Sequence, residues 1–254
     1  MNYNFHTHTY RCHHASGTPE EYVIRAIENG IKYMGFSEHA PFMLPDGSEA
    51  HYRLQCDEIE DYFEEISLLR EKYNKKIDIK IGFEMEYYPS SFEKMLEIAK
   101  NSGAQYLILG EHQTELESRH TIVPTESVEE LKKYVTCVVS AIKSGVYSYV
   151  AHPDIFNFVG DKEIYYNEMT KICIASREYN VPLEINFLGI RENRNYPNID
   201  FWEIAGKEKS PVTFGFDAHT AKDAFDGKSL SKAEKIVRKY NLNYIGKPKL
   251  VLIK

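Results

Sequence analysis

Short apolar segments rich in β-branched and aromatic residues alternate along this chain with longer amphipathic segments. Strands that alternate with helices form parallel sheets joined by right-handed crossovers, so an α/β fold is expected. About seven such strand–helix units in 254 residues predict a closed or nearly closed barrel. The seven predicted strands lie at 3–5, 33–36, 77–83, 106–109, 147–150, 183–185 and 212–216. The predicted helices lie at about 18–30, 56–74, 90–101, 126–143, 162–179 and 229–240.

An open, doubly wound sheet is the structural alternative to a barrel. That fold carries a glycine-rich phosphate turn after its first strand, whereas here the first strand is followed by His6 and His8. We find no internal repeat, low-complexity segment or linker, and therefore predict a single domain over residues 1–254.

Residues of metal-ligand type follow six of the seven predicted strands. The C-terminal strand ends of a (β/α) barrel share one rim, so residues distant in sequence would converge there. Carboxylates and imidazoles packed together are costly unless cations neutralise them, whereas isolated strand-end histidines would simply face solvent. The joint pattern therefore predicts a metal site. Its members, in strand order, are His6, His8, Glu38, His39, Glu84, Glu86, His112, His152, Asp217 and His219.

The spacing within these groups indicates how they would bind. Side chains two residues apart on a strand point to the same face, so His6 and His8 would reach one ion. Asp217 and His219 repeat this spacing. Imidazoles mixed with carboxylates suit Zn, Mn or Fe, and the number of ligands exceeds what one ion needs. We therefore expect more than one divalent transition-metal ion.

The bulk properties exclude several classes of function. A net charge of −7 argues against a general nucleic-acid binder, which needs a basic face. No apolar run approaches the roughly 20 residues of a membrane span. No basic region followed by an apolar stretch, the pattern of a signal peptide, is visible near the N-terminus, and the four cysteines form no C-x-x-C pair. We therefore expect reduced thiols and a cytoplasmic protein. An acidic protein can still bind a small phosphate through cations held in its pocket, and the oligomeric state is not indicated.

Six motifs resemble those of the polymerase-and-histidinol-phosphatase (PHP) metallohydrolases, and within them the histidinol-phosphate phosphatases. They are FHTHTYRCHHASGTPEEYV, MGFSEHAPF, GFEMEYYPS, GEHQ, AHPD and FGFDAH, and they run from position 5 to position 219. The resemblance implies a distorted (β/α)7 barrel and a metal-dependent phosphomonoesterase. L-histidinol phosphate is the best single substrate, and a hydroxide that bridges two metals would be the nucleophile.

The resemblance also implies a ligand set for three metals. His6, His8, Glu84 and Asp217 would hold the first metal, Glu84, His112 and His152 the second, and His14, His39 and His219 the third. Glu84, Asp217 and His219 would be the catalytic residues among them. The family places a phosphate-binding arginine where Arg191 stands, and Arg194 is a second choice for this role.

One departure from the family pattern concerns the substrate. Histidinol phosphatases of this type commonly carry a basic residue several positions after the motif that matches His152-Pro153-Asp154, but residues 155–161, IFNFVGD, supply none. Either Arg119, Lys162 or another cation substitutes, or the substrate is another small phosphomonoester. An amidohydrolase-type barrel and a non-catalytic metal-binding barrel are further alternatives.

The remaining polar residues near the motifs have simpler interpretations. Glu38 is expected to contact a metal ligand from outside the ligand set, and Glu86 is expected either to do the same or to be solvated. His13 and His51 are expected at the rim or in solvent, and His120 on the surface. The segment 41–53 would form a lid at the rim.

Overall fold

Eight parallel strands form one sheet in which spatial order follows chain order. The computed structural model describes residues 1–44, 46–115 and 120–253, so Arg119 lies outside the described residues. The strands are β1 (Tyr3–Asn4), β2 (Tyr33–His39), β3 (Asp78–Met85), β4 (Tyr106–Leu109), β5 (Tyr147–Val150), β6 (Leu183–Asn186), β7 (Pro211–Gly215) and β8 (Asn243–Tyr244).

Helices follow the strands on the outside of the sheet. They are α1 (Pro19–Glu28), α2 (Ile59–Tyr73), α3 (Phe92–Asn101), α4 (Val128–Ser144), α5 (Lys162–Tyr179), α6 (Phe187–Glu192), α7 (Ile199–Glu208) and α8 (Gly227–Tyr240). Local sequence explains where α1 begins, because Thr18 and Glu21 form a capping box and Pro19 occupies the first turn. None of the helices in the described ranges is long and apolar enough to cross a membrane.

The sheet curls until its first and seventh strands meet at the C-terminal rim. Beyond β1, the backbone amide of His8 donates to the carbonyl of Ala218 (3.0 Å), and the amide of Ala218 donates to the carbonyl of His6 (3.3 Å). At the opposite end β8 pairs with β7, and the Tyr3 hydroxyl contacts the Tyr244 hydroxyl at 3.1 Å. The predicted distorted (β/α)7 barrel is thus confirmed, with β8 inserted at its base.

Three elements of the fold were not predicted. Strand β8 has two residues and is only partly buried, so it has no apolar pattern. Helix α6 begins directly after β6, where the Asn186 side chain accepts from the amide of Gly189 (3.2 Å) and so caps the helix. Helix α6 has six residues, too few to give a clear helical period, and the ten-residue α7 follows it after a short turn.

A cluster of aromatic side chains fills the inside of the barrel. Tyr3 and Phe5 from the first strand pack there with Tyr106, Ile108 and Tyr149. The alternate residues of β4, such as Leu107, belong to the larger core that includes the helices. The Tyr106 hydroxyl donates to the carbonyl of Phe5 at 2.9 Å, which is the residue before His6. The interior of the barrel therefore supports the strand end that carries the first histidines.

This hydrogen bond gives a test of the barrel interior. We expect Tyr106→Phe to lower the free energy of unfolding by about 1–3 kcal/mol, because it leaves a buried carbonyl without a donor. Tyr149→Phe is the matched control, since Tyr149 is 1% exposed and its hydroxyl has no partner within the described part of the chain. Denaturant unfolding measures both, and equal losses would contradict the role given to the Tyr106 hydroxyl.

Candidate metal centre

All ten histidines of the chain lie at or beneath one cavity of about 600 Å³ at the C-terminal ends of the strands. His6 and His8 are fully buried and contact two carboxylates that line the cavity, those of Glu84 and Asp217. The histidines that line the cavity are His13, His14, His39, His51, His112, His120, His152 and His219.

The Glu84 carboxylate, at the end of β3, is the centre of the arrangement. It is 1% exposed, and its two oxygens face five imidazoles that come from four strand ends. The nitrogen–oxygen distances are 3.5 Å to His6, 3.3 Å to His8, 3.2 Å to His39, 3.7 Å to His112 and 2.9 Å to His152. A single carboxylate is therefore within reach of members of all three predicted ligand sets.

The Asp217 carboxylate also contacts His6 and His8, in addition to that of Glu84. Its Oδ1 lies 3.5 Å from Nε2 of His6, 3.4 Å from Nε2 of His8 and 3.2 Å from Nδ1 of His219. The Asn186 amide donates to Asp217 Oδ2 at 3.0 Å and so orients the group.

Carboxylates on the far side of the rings fix the orientation of the imidazoles. The Nδ1 of His6 donates to Glu184 at 3.0 Å, and the Nδ1 of His8 donates to Glu38 at 3.2 Å. With the proton on Nδ1, each ring turns the lone pair of Nε2 towards Glu84 and Asp217. These two carboxylates and the two Nε2 atoms form the floor of the cavity. This carboxylate–histidine arrangement is typical of metal-binding histidines.

The atoms that converge on the cavity floor lack hydrogen-bond partners. Within the described residues, Nε2 of His6, Nε2 of His8, Oε2 of Glu84 and Oδ1 of Asp217 are buried and unpartnered. Buried acceptors without donors cost free energy, and here several acceptors face one another. The ligand atoms of His6, His8 and Glu84 lie within 4.8 Å of one another, so these residues fit a metal ion.

A second pair of facing acceptors lies where the loop after β1 meets the loop after β7. The Nε2 atoms of His14 and His219 are 3.2 Å apart. The Nδ1 of His14 donates to the carbonyl of Cys12 at 2.6 Å, and the Nδ1 of His219 faces Asp217. Burial and the imidazole of His219 lower the pKa of His14 to about 4. A shared proton is therefore disfavoured near neutral pH, and a cation fits between the two nitrogens.

The charges of the floor also favour cations. Burial by itself would raise the pKa of Glu84 and Asp217, but the imidazole of His6 and its neighbours hold both pKa values well below the usual range. Both carboxylates are therefore ionised at neutral pH. Glu184 first, and then Asp217 and Glu84, hold the pKa of His6 above its usual value against the effect of burial, so a positive charge at its Nε2, from a proton or from a metal ion, is favoured.

Two of the converging residues have unusual backbone conformations. His152, just past β5, has φ of 30°, and Asp217, just past β7, has φ of 47°. Non-glycine residues with positive φ are uncommon and concentrate at functional sites. The surrounding barrel therefore holds both side chains in place at a cost in backbone strain.

The nine predicted ligands thus lie around one cavity, although the three predicted ligand sets lie closer to one another than expected. His8 stands between two sets, because its ring is 5.3 Å from that of His6 and 4.2 Å from that of His219. The ligand atoms of Cys12, His14 and His219 form one group within 4.8 Å, and those of His8, His39 and His219 form another.

Sequence reasoning missed one carboxylate of the centre, that of Glu184. Glu184 lies in β6, and the one available signal was a charged residue inside an otherwise apolar strand. A side chain at residue 215 of the neighbouring strand would overlap the Glu184 carboxylate, and glycine stands there. His120 is exposed, as expected, and it also lines the cavity, with its ring 5.7 Å from that of His112.

The two candidate arginines occupy different places. Arg191 donates to the carbonyls of Phe216 (2.9 Å) and Asp217 (2.8 Å), so it braces the end of the seventh strand rather than lining the cavity. Arg194 does line the cavity, and it contacts Glu192 at 2.6 Å and the Tyr196 hydroxyl at 3.0 Å. The preference for Arg191 over Arg194 as a phosphate-binding residue is therefore not supported by their positions. Lys162 pairs with Asp200 at the start of α5, away from the residues that line the cavity.

The sequence profile of the PHP domain family matches residues 4–187, which is more than half of the chain. The chain belongs to the PHP domain family. The matched range contains seven of the nine predicted ligands, and Asp217 and His219 lie beyond it.

Relatives of this PHP domain carry a consistent description. The Bacillus subtilis histidinol-phosphatase is 28% identical over 254 residues, covering 86% of this chain and 93% of the relative. A Deinococcus radiodurans protein described as a probable histidinol-phosphatase is 25% identical over 224 residues, covering 84% and 85%. The crystal structure of histidinol phosphate phosphatase from Lactococcus lactis, complexed with zinc, L-histidinol and phosphate, superposes with a TM-score of 0.75 at 20% identity, over 100% of this chain and 99% of that one. The superposition supports the fold described above.

The close contact between Gly215 and Glu184 gives a test of the site. We expect Gly215→Ala to displace the Glu184 carboxylate, so that His6 loses its acceptor and metal affinity falls about 10- to 100-fold. Titration of metal-free protein with Zn²⁺ measures the affinity. Gly227→Ala is the control, because its new Cβ would meet only the Phe225 ring at 3.4 Å. Wild-type affinity in Gly215→Ala would contradict the role of Glu184.

Proposed function

We propose that this PHP domain, acting as one unit over residues 1–254, is a metal-dependent phosphomonoesterase that hydrolyses L-histidinol phosphate to histidinol and phosphate. The observation that carries the proposal is the set of buried, unpartnered acceptors of His6, His8, Glu84 and Asp217. These atoms have the chemistry of a cation site. The choice of histidinol phosphate as the substrate is supported by the relatives named histidinol-phosphatase.

The proposed ions number two to three and are Zn, Mn or Fe. Divalent ions at this floor would neutralise charge on the phosphoryl oxygens and lower the pKa of water enough for attack at neutral pH. We propose that His6, His8, Glu84 and Asp217 hold one ion. Glu84 with His112 and His152 would hold a second, and His14 with His39 and His219 a third.

The remaining catalytic duties fall to residues of the chain itself. Glu84 would fix the positions of the three ligand sets relative to one another, since it contacts at least one member of each set. Asp217 would orient His219, because its carboxylate lies 3.2 Å from the His219 Nδ1. Arg194 would bind phosphate oxygens, for a planar guanidinium matches them in two parallel hydrogen bonds.

The shape of the cavity favours a small substrate. Its volume of about 600 Å³ falls in the range of small-molecule sites. The Tyr52 hydroxyl donates to the Gln113 side chain at 3.2 Å, so Tyr52 contacts the loop after β4 at the rim. The chain is acidic, with a net charge of −7, so cations inside the cavity rather than the outer surface would attract a phosphate.

A second candidate substrate class follows from the cationic side chains of the cavity. Arg194 is the one arginine or lysine among the described residues that line it, and it is already paired with Glu192. A small phosphomonoester other than histidinol phosphate is therefore the alternative substrate.

The function is tested by metal analysis together with a screen of phosphomonoesters. We expect phosphate release from histidinol phosphate, loss of activity on chelation and recovery with Zn²⁺ or Mn²⁺. Asp217→Asn should lower kcat by about a hundredfold or more, equivalent to about 2.7 kcal/mol in the barrier. Asp223→Asn is the control, a buried carboxylate that contacts Thr220 and Arg191 outside the cavity. Metal-loaded protein that cleaves amides but no phosphomonoester would overturn the proposal.

The role of Arg194 is tested separately through binding. Arg194→Ala should raise the KM for the phosphomonoester and the inhibition constant of inorganic phosphate about tenfold, because one charge-assisted phosphate contact is lost. Arg177→Ala, which removes a surface pair with Glu208, should change neither constant. Unchanged phosphate inhibition in Arg194→Ala would remove this residue from the substrate site.

A further inference from the structure

A buried arginine lies beneath the rim of the cavity, in the segment that connects β2 to α2. Arg53 is 3% exposed. Its guanidinium donates to both oxygens of Glu86, at 3.0 and 2.9 Å, and to the carbonyl of Ala40 at 2.9 Å. A buried, bidentate pair of this kind has a fixed geometry.

The partner of Arg53 also contacts a proposed metal ligand. Glu86 Oε1 lies 3.2 Å from Nδ1 of His112, and Glu86 is 2% exposed. The Glu86 carboxylate is therefore held between the Arg53 guanidinium and the His112 ring. It leaves the Nε2 of His112 to face Glu84, 3.7 Å away.

The same segment is joined to the two flanking strand ends. Ala40, which accepts from Arg53, follows His39 directly, and the amide of Leu54 donates to the carbonyl of His39 at 3.3 Å. On the other side Tyr52 reaches Gln113, the residue after His112. Arg53 thus connects the end of β2, which carries His39, to the end of β3, which carries Glu86.

We propose that Arg53 is a positioning residue that acts through Glu86 to fix the ring orientation and tautomer of His112 for the metal shared with Glu84 and His152. Removing Arg53 would leave the Glu86 carboxylate without its main partner and free to turn away from His112. The loss would fall on this one metal position, because the His6 and His8 rings are held by Glu184 and Glu38 instead. The inference rests on the metal-centre part of the proposed function.

The test is metal binding by the full-length protein, measured without substrate. Protein stripped by a chelator is titrated with Zn²⁺ in competition with a fluorescent chelator, and the bound metal is counted after desalting. We expect Arg53→Met and Glu86→Gln to weaken one Zn²⁺ site about 10- to 100-fold and to leave the others at wild-type affinity. The double variant should bind like Glu86→Gln alone, since both changes act on one path.

Arg11→Met is the matched control. Arg11 is 6% exposed and its guanidinium contacts Glu65 at 2.6 Å, which is not a ligand candidate, so all Zn²⁺ sites should keep their affinity. Arg53→Lys keeps the charge but loses the bidentate geometry, and it should show an intermediate loss. If Arg53→Met fails to fold, Glu86→Gln and Arg53→Lys decide the question.

Two results would overturn the inference. One is a folded Glu86→Gln or Arg53→Lys that binds every Zn²⁺ with wild-type affinity, and the other is additive losses in the double variant. A wild-type protein that binds no Zn²⁺ would instead overturn the proposed metal centre. A wild type that binds Zn²⁺ but releases no phosphate would affect only the proposed reaction.

Discussion

The ionised carboxylate of Glu84 is buried among five imidazoles at the C-terminal ends of the strands, and the rest of the structure is arranged around it. A buried charge of this kind is costly unless it is paired. Protons on the surrounding rings offset the charge in part, but several of those rings already donate Nδ1 to other carboxylates. The remaining lone pairs face inward, where the proposed divalent cations would satisfy them together.

The barrel is what makes this concentration of ligands possible. Parallel strands end at one rim, so residues separated by more than two hundred positions meet there. The barrel also makes room for the carboxylates, because a side chain at residue 110 would overlap Glu84 and one at residue 215 would overlap Glu184. Buried groups outside the predicted ligand set also contact the ligands, directly or through one carboxylate. Asn186 donates to Asp217, and Arg53 donates to Glu86, which contacts His112. The precision of the centre therefore depends on residues across the whole rim.

Much of this could be predicted from the sequence, because strand ends and their metal-ligand residues are local features. The seven strands and the convergence of residues such as His6, Glu84 and Asp217 followed from alternation and the rule for barrel rims. The direction of a long side chain is not a local feature. The sequence favoured Arg191 as the phosphate ligand, whereas its guanidinium is taken up by backbone carbonyls at the end of β7. Glu184 and Arg53 were missed because their roles depend on partners distant in sequence, and β8 because it is held by contacts rather than by an apolar pattern.

The central claim is that the facing lone pairs at this rim bind metal ions. Anomalous X-ray diffraction from crystals of the protein grown with Zn²⁺ tests it most directly. The account predicts two to three anomalous peaks in the cavity, one of them among His6, His8, Glu84 and Asp217 and one between the Nε2 atoms of His14 and His219. A cavity without peaks, in which these nitrogens hydrogen-bond to one another or to water, would contradict it.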